Sequence, residues 1–350
     1  MAKKAGSAIS AACVKASTWG TAVAASTGDK LQDVNISYAL NETILKRRGV
    51  GSGKAFQYGA TRGAELPSVT ITGDLGVQNR FDFMLAQLMG TASVGSEITA
   101  SQGDYKHTIT WNSTPNSKLA TIAWENSTGT TVELPSVAFT QMIIRSTSIP
   151  GYLEYQAQGI ANKIEYSSAV NTNAVLQAAT LADSELLLAN FDDDFWINTQ
   201  AGSTLSSSNI LAGTKFELTI NRPQACPQEF KGSAGLGSPD QQEEGNAMLK
   251  LDLSGLDDHT YIAYHIAETG LKGKFIFEGN AIGSGSNKTL MIYIPRMQLL
   301  AHPQNDMAGK GVNPAVYTFE CAVADSNPSG MSSTMPYFEI INTKSTAILA

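Results

Sequence analysis

The two halves of the sequence repeat one order of segments, and this repetition constrains the fold more than any other feature. A strand-like segment at Ile36–Asn41 recurs at Phe216–Asn221, an offset of 180 residues, and Val69–Asp74 recurs as Met248–Asp252, with its last residues offset by 178. The other matched pairs are Trp19 with Trp196, Thr121–Glu125 with Lys274–Glu278, Phe139–Ile144 with Ile294–Leu299, and Tyr152–Ala157 with Val316–Cys321. Such an ordered series indicates a duplicated unit. The alternative is two unrelated β domains with similar strand patterns.

Alternation of apolar and polar residues predicts strands in these segments, and an apolar stripe in each half predicts a short helix. The helices are expected at residues 79–90 and 257–267. The sequence therefore predicts a mainly β protein with two tandem β-sandwich or open-barrel domains, each with one short helix packed on its sheet. The expected boundaries are an N-terminal arm at 1–30, a first domain at 31–165, a bridging segment at 166–213, and a second domain with a C-terminal strand at 214–350.

Charge and cysteine content exclude several classes of protein. The net charge is −7. Residues 1–175 contribute about +2 and residues 176–350 about −9, whereas a nucleic-acid reader needs a basic face for phosphates. Three widely spaced cysteines do not form a disulfide framework, which favours a reducing compartment. No segment approaches the roughly 18 apolar residues of a membrane span, so no membrane partner is expected.

Residue patterns typical of catalysis or metal binding are missing from the sequence. His259 and His265 are six positions apart and cannot share a helical face as zinc ligands at i and i+4 do. The glycine-rich run before Lys54 departs from the phosphate-loop pattern, because Arg48 stands at its first glycine and Ala55 replaces the Mg²⁺-binding Ser or Thr. The sequence therefore predicts a protein that is not an enzyme, with no cofactor and no metal.

The order of elements resembles that of a known family. A Trp-containing arm precedes a strand, a long Gly-rich basic loop, a strand ending in Asp, a short helix and long strand pairs, with Leu134-Pro135 and Ile294-Pro295 before the last hairpins. Together with the segments 16–25 and 287–297, this order is similar to the tail tube proteins, or major tail proteins, of long-tailed bacteriophages, in particular the subgroup with two tandem tube domains.

The resemblance implies a structural virion protein that self-assembles into stacked rings, forming the tail tube through which DNA is ejected. The implied location is the virion tail, after assembly in the host cytoplasm. The implied partners are other copies of the chain, the tape-measure protein, the tail terminator and distal tail proteins, and genomic DNA that passes through the lumen without specific binding. Two domains per chain favour a trimeric ring of pseudo-sixfold symmetry over a hexamer.

In this family, the long loop after the first strand pair reaches the neighbouring ring, which corresponds here to residues 46–66 and 222–247. The first loop is basic, with a net charge of +4, and the second has a net charge of −2. We therefore expect charge complementarity between stacked rings, with candidate contacts at Lys46, Arg47, Arg48, Lys54 and Arg62 on the basic side and Glu229, Glu243 and Glu244 on the acidic side. The alternative is two solvated loops with scattered charge.

Other functions fit the predicted fold. A surface-binding module of lectin or adhesin type would use exposed aromatic side chains for sugar stacking, and the candidates are Trp19, Trp111, Trp124 and Trp196. Another virion component, such as a decoration or baseplate protein, is the nearest structural alternative.

Overall fold

The computed structural model describes residues 9–47, 59–63, 65–114, 118–190, 193–227, 236–253, 260–300 and 315–349. About 48% of these residues lie in strands, which pair antiparallel, and three α-helices occur among them. The strand pairings form an open, branched sheet that does not close into a barrel within the described residues. The prediction of a mainly β fold is therefore confirmed.

The described residues of the first half form twelve strands and the helix α1 (Phe81–Met89). Its strands are β1 (Ala11–Ala16), β2 (Val34–Ala39), β3 (Ile44–Arg47), β4 (Gly59–Arg62), β5 (Ser68–Asp74), β6 (Gly90–Ala92), β7 (Ser96–Glu97), β8 (Tyr105–Trp111), β9 (Leu119–Glu125), β10 (Thr131–Ser146), β11 (Gly151–Ala161) and β12 (Glu165–Tyr166).

The remaining residues that the structure describes form ten strands, the helices α2 (Asn173–Ala178) and α3 (Thr260–Ile266), and a short 3₁₀ turn at Ser207–Asn209. Its strands are β13 (Leu188–Ala189), β14 (Asp194–Thr199), β15 (Gly213–Asn221), β16 (Gln224–Ala225), β17 (Asp240–Gln241), β18 (Asn246–Leu253), β19 (Leu271–Ala281), β20 (Asn287–Leu299), β21 (Ala315–Ala322) and β22 (Tyr337–Asn342).

Two sets of six strands pair in the same order. The first repeat is the sheet β1-β9-β10-β11-β5-β2, and the second repeat is the sheet β14-β19-β20-β21-β18-β15. In each repeat a helix, α1 or α3, follows the counterpart strand β5 or β18. The strands β1 and β14 lie within the segments predicted as an arm and a bridge, yet each pairs with a central strand of its repeat.

A proline bulge marks the same point in both repeats. The register of β10 against β9 shifts between Leu134 and Val137, around Pro135, and the register of β20 against β19 shifts between Ile294 and Met297, around Pro295. Proline cannot donate to a ladder and is accommodated at bulges, where the strand bends. The bulge therefore provides a common reference for comparing the two repeats.

Strand registers counted from this bulge show which residues of the two repeats are equivalent. The segments matched from the sequence are equivalent at β2 and β15, but the other matched segments are displaced. Tyr38 and Leu218 oppose Val69 and Leu249, which preserves the offset of 180. The sequence match of β5 with β18 and that of β9 with β19 are two residues away from the equivalent positions. The matches within the hairpins β10–β11 and β20–β21 are four or five residues away. Trp196 lies within β14, whereas Trp19 lies beyond the end of β1. Alternating strands match almost equally well after a shift of two, so composition alone does not fix their register.

The two repeats form one continuous sheet and share one hydrophobic core. The second half of β10 pairs with β15, giving an eight-stranded sheet in the order β2-β5-β11-β10-β15-β18-β21-β20. A second connection runs through β22, which pairs with β20 and with β8. The helix α1 is buried along its whole length and ends at Gly90, whose φ of 102° suits glycine.

Candidate assembly surfaces

The outward side of the eight-stranded sheet is a polar surface, which we call the polar face. Because side chains alternate along strands, residues paired across neighbouring strands form rows on one side. One row is entirely uncharged and crosses both repeats, through Ser37, Thr70, Gln158, Gln141, Asn221 and Asn246. Neighbouring positions along β2 and β5 are also small and polar, at Asn35 and Thr72.

Side-chain hydrogen bonds connect the two repeats across this face. Gln141 donates from Nε2 to Oδ1 of Asn221 at 2.6 Å, and Asn221 donates from Nδ2 to Oδ1 of Asn246 at 2.7 Å. The three residues lie on β10, β15 and β18, so this chain of amides crosses the boundary between the repeats. The polar face is therefore one surface rather than two adjacent ones.

Charges on the polar face occur in both signs. A second row contains Asp74, Glu154, Arg145, Glu217 and Lys250. Arg145 Nε lies 2.8 Å from Glu154 Oε2. The pKa of Asp74 is raised by partial burial and by the nearby carboxylates of Glu154 and Asp33. Such a mixed surface has no basic groove of the kind that holds a phosphate backbone.

Two hairpins leave the same end of the sheet. The β3–β4 hairpin follows β2, and the β16–β17 hairpin follows β15. Four successive antiparallel pairings separate β2 from β15, so these strands run in the same direction and end at the same edge. The two loops singled out in the sequence thus have equivalent origins.

The structure describes five of the eight predicted inter-ring residues, and these five lie on or next to the two hairpins. Lys46 and Arg47 lie on β3 and Arg62 on β4, so one hairpin contains these three basic residues. Glu243 and Glu244 are exposed and follow β17 on the other hairpin. Arg48, Lys54 and Glu229 lie outside the described residues. Within one chain the basic and acidic groups are therefore on separate hairpins.

The junction between the repeats pairs β10 of the first repeat with β15 of the second. These two strands are not counterparts of each other, so the junction joins different edges of the two repeats. Six residue pairs form it, from Gln141 with Asn221 to Ser146 with Phe216. On β15, Phe216 and Leu218 are fully buried. On β2, the counterpart of β15, Ile36 is only half-buried and Tyr38 is 39% exposed. The outer edge of β2 has no strand partner among the described residues.

None of the four tryptophans is an exposed stacking platform. Trp124 is buried in the core, and the other three are half-buried. Trp19 donates its indole N–H to the carbonyl of Leu236 at 2.9 Å. Trp111 and Trp196 lie under Arg222 and Lys274, at 4.2 and 4.8 Å from the ring centroids. The aromatic residues considered for sugar binding are thus engaged in internal contacts.

The described part of the chain contains no group of three or more His, Cys, Asp or Glu residues arranged to hold a metal ion. No helix in that part is long and apolar enough to cross a membrane.

The sequence did not reveal the polar face, because its rows depend on pairings between distant strands. Each strand showed alternation, but Gln141, Asn221 and Asn246 become neighbours only through the β10–β15 junction.

A scan against models of known protein families and a search among curated proteins both found no match.

Proposed function

We propose that this chain is a structural protein of a bacteriophage tail, whose copies join into rings that stack as the tail tube. The observation that carries the proposal is the junction of β10 with β15. It joins two repeats through unlike edges, and a contact of this kind can be repeated indefinitely or closed into a ring. The described residues contain one such contact, and in them the outer edge of β2 has no strand partner, so it can take part in another.

The same junction between copies would pair β2 of one chain with the segment of the next chain that is equivalent to Gln141–Ser146 of β10. Measured from the proline bulge, that segment follows the end of β20 and lies outside the described residues. The eight-stranded sheet would then continue from copy to copy, leaving no exposed sheet edge. Because each chain supplies two repeats, three copies would close a pseudo-sixfold ring. In that ring the polar face lines the lumen, where its mixed charges and amides allow DNA to pass without a basic binding groove.

The two hairpins would provide the contacts between rings. Charge reversal by Arg47→Glu with Arg48→Glu is expected to shorten tubes several-fold, because it removes the net charge of +4 from the basic loop and with it the attraction to the acidic hairpin of the adjacent ring. Tube length is measured by negative-stain electron microscopy at low salt. The matched control is Arg47→Lys with Arg48→Lys, which keeps the net charge and should leave the length unchanged. Normal tubes from the first variant would contradict this role for the hairpins.

The direct test of the function is electron microscopy of the purified chain, concentrated stepwise and incubated. We expect rings or tubes with a central hole, and class averages of end views with threefold or pseudo-sixfold symmetry. Light scattering on the same samples gives the number of chains per ring. Particles that stay monomeric at every concentration, including after addition of a tail-tip initiation complex, would contradict the proposal.

A further inference from the structure

The open side of the first repeat contains a pocket of about 1050 Å³. It lies between the β1 and β9 strands on one wall and the β2 and β5 strands on the other, and its lining includes Ala11, Ile36, Trp124 and Asn126. The residues on its β2 side belong to the edge that has no strand partner among the described residues. The pocket and the open sheet edge are therefore parts of one surface.

In the second repeat, four phenylalanines fill the equivalent space. Phe195, Phe216, Phe275 and Phe277 form a cluster with ring centroids 5.1–5.7 Å apart. All four are at least nine-tenths buried. Edge-to-face and tilted contacts at these distances are favourable, and the cluster seals the space between the two walls.

The strand pairings show that the phenylalanines and the pocket residues occupy equivalent positions. Ala11 opposes Trp124 as Phe195 opposes Phe275. Trp124 and Phe275 oppose Val132 and Ile292, which stand equally far from the two proline bulges. Ile36 and Phe216 oppose Ile71 and Leu251, and Asn126 takes the place of Phe277.

The first repeat thus has an alanine, an isoleucine, a tryptophan and an asparagine where the second has four phenylalanines. The tryptophan is larger than a phenylalanine, but the other three side chains are smaller. Replacing large core side chains by smaller ones leaves a cavity whose cost grows with its volume, unless another group fills it. The carboxyl groups of Asp33, Asp74 and Glu154 also face this pocket, with Arg145 among them. The space is therefore open, partly apolar and bordered by charge.

Resting on the proposed function, we infer that this pocket receives a second copy of the chain, whose side chains fill the space that the four phenylalanines fill in the second repeat. We choose a second copy as the occupant because of where the pocket lies. Its rim is the free edge of β2, and β15, the counterpart of β2, is covered by a strand of the adjacent repeat. A copy that extends the sheet at β2 consequently lies over the pocket.

The test is to give the first repeat the side chains of the second. The double variant Ala11→Phe with Ile36→Phe should fold with an unchanged or higher melting temperature and lose at least tenfold in the fraction assembled, measured by sedimentation velocity. The control is Val94→Phe, since Val94 is 65% exposed and remote from the pocket. A double variant that folds and assembles like the wild type would overturn the inference and leave the proposed function intact.

A second measurement decides the case in which the double variant does not fold. The thiol introduced by Ile36→Cys should react with a bulky maleimide at least tenfold more slowly in assembled than in unassembled protein. The three native cysteines are buried and give a low background. Equal reactivity in both states would overturn the inference. A wild-type chain that never assembles would refute the proposed function and the inference together.

Discussion

Replacing Ile36 by lysine is expected to abolish self-assembly while leaving the isolated chain folded. Ile36 lies on β2, half-buried at the open side of the sheet, so a lysine there can extend its ammonium group into water. Its counterpart Phe216 is only 1% exposed, because a neighbouring strand covers β15. In an assembly built with the same junction, the neighbouring copy would exclude water from the ammonium group, and the carboxylates that border the pocket would offset only part of that cost.

Removing a charge from water costs several kcal/mol even where an opposite charge is near, and each 1.4 kcal/mol changes an equilibrium tenfold. The concentration needed for half-assembly should therefore rise by about 100-fold or more, as measured by light scattering across a dilution series. The control is Thr219→Lys, a half-buried position of the polar face on β15 that does not line the pocket, which should assemble within about tenfold of the wild type. If Ile36→Lys assembles like the control, β2 is not part of the interface.

Truncation of Phe275 to alanine is expected to destabilise the fold more than any single change on the polar face. Phe275 is fully buried and contacts Phe195 and Phe216, with ring centroids 5.4 and 5.1 Å away. Removal of a buried phenylalanine ring typically costs about 3–5 kcal/mol, because the surrounding side chains relax only partly into the space. Urea unfolding followed by tryptophan fluorescence measures this loss.

The control for Phe275→Ala is Ile210→Ala, since Ile210 is 58% exposed and lies close to the same repeat. Surface truncations of this kind usually change stability by less than about 0.5 kcal/mol. A loss below about 1 kcal/mol for Phe275→Ala would show that the cluster is not a rigid part of the core. The comparison thus separates core packing from a general effect of removing apolar groups.

The sequence could predict element types and the order of the repeats, because alternation and helical stripes are local properties. Residues 81–89 form α1 where four apolar residues share one face, and the Leu-Pro and Ile-Pro steps lie at equivalent bulges. The register between repeats could not be predicted in most strands. A displacement of two residues preserves the buried face, so Asp74 and Asp252 looked equivalent although they are not.

The candidate surfaces were predictable only where charge was concentrated. The basic and acidic loops were visible as runs of sequence, and the structure places their described residues on equivalent hairpins. The open pocket was not visible, since Ala11, Ile36 and Trp124 look like ordinary strand residues. Its presence depends on three strands that meet only in the folded sheet, and on comparison with the filled second repeat.

The pairing of β8 with β22 has a consequence for the order of folding. The last described strand, Tyr337–Asn342, inserts between β20 and Tyr105–Trp111 of the first half. The backbone carbonyl of Lys344 also contacts His107 Nε2 at 2.7 Å. During synthesis the first half leaves the ribosome long before residues 337–342, and contacts so distant in sequence form slowly. The side of β8 that pairs with β22 therefore stays unpaired until residues 337–342 have been synthesised.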